Sequence, residues 1–82
     1  MTKSIYTIKY QKFRMLLIQA RKNLKLSQVQ LSKKLSKPQS FISKYETGER
    51  RLDLIEFLEL SEKLEIDPLE MIKKLISLNI WG

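Results

Sequence analysis

The chain of 82 residues contains no cysteine and no histidine. Without cysteine there is neither a disulfide frame nor a thiolate metal site, and a reducing, cytoplasmic setting is the expected one. Without histidine the commonest general base and the commonest metal ligand are both missing. Carboxylates alone could still do acid–base work, but no paired acids converge on a Gly- or Ser-rich segment, so no enzyme is expected and no cofactor is implied. No apolar run approaches the about 18 residues needed to span a bilayer, and the first residues, MTKSIYTIKYQ, lack the apolar stretch and cleavage site of a signal peptide.

Glycine and proline are scarce too, at two each. Few breakers among many Leu, Ile, Lys, Glu and Gln residues predict helices joined by short turns, and no clear period-2 strand or internal repeat is found. With 43% hydrophobic residues the chain can build a thin core, and at this size association is a common way to add stability. Three segments are expected: an extended arm over residues 1–9, a domain over 10–78 and an apolar tail over 79–82.

Charge of one sign is also unevenly supplied. The net charge is +7. Residues 1–51 hold 13 Lys and Arg against only Glu46 and Glu49, whereas residues 52–82 hold three Lys against seven acids. A basic half of this kind favours a polyanionic partner.

The apolar spacing Phe13, Leu17, Ala20, Leu24 predicts a first helix over about 10–24. Ser27 with Gln30 has the form of a capping box opening a second helix that ends near Leu35. Pro38 suits the first turn of a third helix running to Thr47, with Gly48 closing it in a left-handed conformation. Asp53 with Glu56 opens a fourth, expected to bury Leu54, Phe57, Leu58 and Leu64. Asp67-Pro68 opens a fifth, expected to bury Leu69, Ile72, Leu75 and Ile76. The expected fold is all-α, with five short helices.

So few residues link the second and third helices that they must cross steeply, as in a helix-turn-helix. Val29, Leu31, Leu35, Ile42 and Tyr45 are expected to face inward. Gln39, Ser40, Ser43, Lys44 and Thr47 then form one outward stripe. Gln can pair bidentately with adenine, Ser with any base edge, and Lys with guanine acceptors. An ordinary solvated helix face is polar as well, but it tends to alternate Glu with Lys, and this stripe holds no acid.

The run LSQVQLSKKLSKPQSFISKYETGERRLDLIEFLELSEKLEIDPLE resembles the Cro/repressor-type, or lambda-repressor-like, helix-turn-helix domains. The nearest subgroup has a KPQS turn followed by Ser-Lys-Tyr-Glu-x-Gly-Glu-Arg-Arg. The resemblance covers about residues 10–76. It implies a sequence-specific DNA-binding transcriptional regulator, a repressor in type, with Gln39 and Ser40 as principal base readers and Ser43 and Lys44 touching bases or flanking backbone. Gln28 would anchor a phosphate at a helix N-terminus, with Arg50 and Arg51 holding phosphates beyond Gly48 and Lys37 a further phosphate candidate. Arg21 and Glu46 match a pair bridging the first and third helices, where a guanidinium can hold a carboxylate bidentately. Two positions depart from the family pattern: Ser32 stands where Ala is usual at the helix crossing, and Ser36 where Gly is usual in the turn. Ser36 must accept a strained dihedral or shift the turn. Phe41 has two readings, partial burial beside Ile42 and Tyr45 (the preferred one) or contact near the phosphates with a thymine methyl.

The acidic last helices are expected to face away from double-stranded DNA. Ile72, Ile76, Ile80 and Trp81 are candidates for a homodimer interface that sets two recognition helices roughly 34 Å apart on a pseudo-palindromic site. The tail folding back on its own domain is the other reading. Among other function classes, an antitoxin-like module that binds a protein partner and its own operator stands second. RNA binding lacks interleaved aromatics, and a membrane-surface role lacks one long amphipathic helix.

Overall fold

The computed structural model describes the backbone of residues 2–78 and the side chains of residues 8–78. Five helices follow one another: α1 (Thr2–Asn23), α2 (Gln28–Leu35), α3 (Gln39–Thr47), α4 (Leu54–Leu64) and α5 (Pro68–Ile76). Among the described residues there is no strand, and no helix is long and apolar enough to cross a membrane.

Local chemistry sets the helix ends. The Ser27 hydroxyl accepts from the Gln30 N–H while the Gln30 side chain accepts from the Ser27 N–H, a complete capping box. Asp53 and Glu56 make the same reciprocal pair at the start of α4. Asp67 caps α5 through the Leu69 N–H, and Pro68 occupies the first turn, where its missing N–H costs nothing. Pro38 stands one place earlier than expected, as the extended N-cap of α3 at φ −68°. The turn carries its strain at Ser36, which closes α2 at φ 55°, where the usual glycine would sit without cost. Gly48 closes α3 at φ 86°.

Where an extended arm is expected over residues 1–9, residues 2–9 are instead the beginning of α1. Its β-branched Ile5, Thr7 and Ile8 lower helix propensity by only tenths of a kcal/mol each, roughly, and no glycine or proline interrupts them. Extending a helix already nucleated by packing is far easier than starting one.

The core is Leu17, Ala20, Leu31, Phe41, Ile42, Tyr45, Phe57, Leu60, Leu64 and Met71, with Phe13, Leu16, Leu26, Leu35, Leu52, Ile66, Ile72 and Leu75 packed against it. Five expected core residues lie elsewhere: Val29, Leu54, Leu58, Leu69 and Ile76 are exposed. Helical phase explains most of this. Val29 lies about 200° around α2 from Leu31, so the two cannot both face inward. In α4 the buried line is Phe57, Leu60, Ser61 and Leu64, which leaves Leu58 off the face and Leu54 in the first turn, beyond the packing. In α5 the buried anchor is Met71, with Leu75 one turn on, and Leu69 and Ile76 fall outside that stripe. Ser61 and Ser32 stay buried because each hydroxyl donates to a carbonyl of its own helix, Phe57 at 2.8 Å and Val29 at 2.7 Å. Ser32 thereby fills the crossing where the family usually has Ala.

Candidate nucleic-acid interface

Helix α3 is divided lengthwise. Phe41, Ile42, Tyr45 and Glu46 are buried, which follows from their i, i+1, i+4, i+5 spacing on one side. Gln39, Ser40, Lys44 and Thr47 are exposed and Ser43 is half-buried on the other side. The turn that presents this helix is held by the Ser36 N–H donating to the Lys33 carbonyl and the Lys37 N–H donating to the Ser32 carbonyl. The acid of α3 is thus turned inward, and the outward side offers amide, hydroxyl and ammonium groups only.

Glu46 is where the helices are tied together. Arg21 Nε donates to Glu46 Oε2 at 2.7 Å, and the other arm of the guanidinium to Oε1 at 3.2 Å. Arg21 also donates to the Leu26 carbonyl at 2.8 Å, ahead of α2. The two side chains are only 11% and 6% exposed, so a lone charge at either end would be costly. Gln28 Nε2 donates to Glu46 Oε1 at 2.8 Å, and Gln39 Nε2 donates to Gln28 Oε1 at 3.3 Å. The structure therefore joins four of the sequence-predicted residues, Arg21, Glu46, Gln28 and Gln39, into one chain of hydrogen bonds running from the α1–α3 junction to the exposed start of α3.

Arg14 belongs to this junction and was not singled out by the sequence. It donates to the Glu46 carbonyl at 2.7 Å, satisfying the end of α3. A Cβ at Gly48 would stand 3.1 Å from its guanidinium. The signal was present in the spacing: Arg14 and Arg21 are seven apart, two turns along one face of α1.

Beyond Gly48, Arg50 is bound to the protein itself. Its two terminal nitrogens donate to Glu56 Oε1 and Oε2 at 2.9 and 2.7 Å, one of them also to the Arg51 carbonyl at 3.1 Å. This bidentate bond, followed by the bond from the Asp53 N–H, brings the Glu56 carboxyl down from an ordinary 4.5 to about 2, and it raises the Arg50 pKa in turn. Arg51 is exposed and lies over the Tyr10 ring at 4.3 Å, while the Tyr10 hydroxyl accepts from the Leu52 N–H. Phe41 is 9% exposed, with the Lys37 ammonium 5.3 Å and the Arg50 guanidinium 5.0 Å from its ring centroid. Its ring fills the core and at the same time braces two cations of the flanking loops. Of the candidate dimer residues, Ile76 is exposed at 67% and Ile72 is half-buried, while Ile80 and Trp81 lie outside the described residues.

Two short helices crossed over a three-residue turn, the second with a buried seam and an acid-free polar outer side, define a helix-turn-helix DNA-binding domain. The helix-turn-helix family model matches the chain over residues 17–71. The solved structure of an XRE-family like protein from Pseudomonas syringae pv. tomato str. DC3000 is similar, with 40% sequence identity over 95% of each chain and a TM-score of 0.89. No curated protein matches. The chain belongs to the Cro/repressor-type (XRE) helix-turn-helix family of DNA-binding transcription regulators.

Proposed function

We propose that the protein is a sequence-specific repressor that lays α3 in the major groove, with Gln39 and Ser40 reading base edges and Ser43 and Lys44 one turn behind them. The observation that carries this reading is the polarity of α3: its acid, Glu46, is buried and paired, and its exposed residues are donors. Gln28, Lys37, Arg50 and Arg51 hold the flanking phosphates. Gln28 sits at the N-terminus of α2, where the backbone N–H groups favour an anion. Arg50 reaches a phosphate by exchanging or sharing its bond to Glu56, so Arg51 and Lys37 are the stronger electrostatic contributors.

Two copies bind together in this reading, joined through α5 with its exposed Ile76 and through the tail residues Ile80 and Trp81, and they contact half-sites one helical turn, about 34 Å, apart. The site of action is then the DNA of the cytoplasm. Selection of bound sequences from random duplexes tests the proposal. An enriched inverted repeat is expected, whereas retention of duplexes without any common sequence overturns it. Sedimentation checks the pairing: a chain that stays monomeric well above micromolar concentration contradicts the dimer.

A further inference from the structure

We infer that the cleft between α1, α4 and α5 binds a small amphiphilic carboxylic acid, and that such a ligand weakens DNA binding by engaging Arg51. The effect on DNA rests on Arg51 being a phosphate contact; the binding itself does not. The cleft opens to solvent and has a volume of about 400 Å³, within the roughly 300–1,000 Å³ of small-molecule sites. Three helices line it with apolar side chains: Phe13 from α1, Leu54 and Phe57 from α4, Ile72 and Leu75 from α5. Phe13 and Phe57 meet edge to face at 5.3 Å and form one aromatic wall. Leu54 is 64% exposed, an apolar surface in water that the body of such a ligand would cover.

One edge is polar and is made by residues 51–53 with Tyr10. The Arg51 guanidinium lies 4.3 Å from the Tyr10 ring centroid, and among the described residues no carboxylate pairs with it. The Tyr10 hydroxyl accepts from the Leu52 N–H at 3.2 Å, while its own proton has no acceptor among the described residues. A cation and a hydroxyl donor thus border one apolar cleft, and a carboxylate is the group that satisfies both. Asp53, the one acid in the lining, already accepts from the Glu56 N–H at 2.7 Å. Lys9 lines the cleft too, so the charge balance favours an anion. The volume suits a single aromatic ring or a medium-length acyl chain behind that carboxylate. A guanidinium turned to the carboxylate is lost to a DNA phosphate, so ligand and duplex oppose each other by the same factor in both directions.

The test is titration of isotope-labelled protein with phenylpropionate, followed by amide NMR, with phenylpropanol and acetate as controls. Saturable shifts are expected at the amides of Leu52, Leu54, Ile72 and Leu75, with phenylpropanol binding about tenfold more weakly and acetate not at all. Arg51→Ala is expected to reduce the phenylpropionate affinity about tenfold and to leave the phenylpropanol affinity unchanged, a split that a loss of fold does not produce. On the selected duplex, saturating phenylpropionate is expected to weaken the native chain severalfold and to leave the Arg51→Ala chain unmoved. No saturation at millimolar phenylpropionate, or equal affinity for the acid and the alcohol, overturns the site. So does a cleft that accepts the acid only after residues 79–82 are removed, or only below the concentration at which the chain self-associates, since it then belongs to the tail or to a second copy. Unchanged duplex affinity with the acid bound, in a protein whose Arg51→Ala variant does lose duplex affinity, overturns the coupling. An Arg51→Ala chain that holds the duplex as well as the native chain contradicts the phosphate contact instead and leaves the site standing.

Discussion

Tyr45 is wholly buried, yet its hydroxyl has no hydrogen-bond partner among the described residues. Burial, and after it the nearby Glu46 charge, push its pKa well above the ordinary 10. The folded protein therefore keeps the phenol proton at a pH where the unfolded chain releases it. Stability from this source is complete below about pH 10 and falls as pH rises beyond it. Removing an unsatisfied hydroxyl removes a desolvation cost, so Tyr45→Phe is expected to leave stability unchanged or raise it by about 1 kcal/mol, and to weaken the alkaline loss. Thermal unfolding at neutral and alkaline pH checks both; a loss of about 1 kcal/mol or more would reveal a partner for the hydroxyl. Gly48 is the opposite case. At φ 86°, with Arg14 against the site of any Cβ, Gly48→Ala is expected to cost about 1–2 kcal/mol in a denaturant titration. A cost near zero would mean that the turn relaxes freely.

At the scale of elements, the loop after α3 is fastened to α4 by the pair Arg50–Glu56, and Glu56 serves the capping box of Asp53 as well. Because its pKa in the fold is depressed to about 2, the stability it contributes is present above pH 4.5 and is lost as pH falls toward 2. Glu56→Gln is expected to be less stable than the native chain at pH 7, with the difference shrinking through that acid window. Equal spacing of the two stability curves at pH 7 and pH 2 would show that the bond is dispensable. Helix starts were legible in the sequence at Ser27, Asp53 and Asp67 because a cap is a contact between residues three or fewer apart. The faces were less legible. Val29 and Leu69 are as apolar as Leu31 and Met71, and only the phase at which each helix docks decides which is buried. The strain at Ser36 was expected through the family resemblance, which places Gly in that turn, and not from a local contact of the kind that marks the caps.

For the molecule as a whole, the division between a basic first half and an acidic second half was readable from charge alone, and so was the polar outer side of α3. The chain of bonds from Arg21 through Glu46 and Gln28 to Gln39 was only half readable, since it joins residues of α1, α2 and α3 that meet once the helices cross. The family resemblance supplied the Arg21–Glu46 pairing, but nothing local linked Gln28 to Glu46, and Arg14 was marked only by sharing the face of α1 that carries Arg21. The same distinction separates base reading from phosphate contact. Residues on α3 carry sequence preference, whereas the loop cations act on any duplex and make affinity fall with salt.

The central claim is that α3 reads bases from Gln39 while the loop beyond Gly48 holds phosphates. Its most direct test compares Gln39→Ala and Arg51→Ala for binding to the selected duplex and to a random one across a range of salt. Gln39→Ala is expected to cost about 1–3 kcal/mol on the selected duplex, close to nothing on the random one, with the salt slope unchanged. Arg51→Ala is expected to weaken both duplexes alike and to reduce the salt slope by about 1. A Gln39→Ala protein that still separates the two duplexes as well as the native chain would contradict the account.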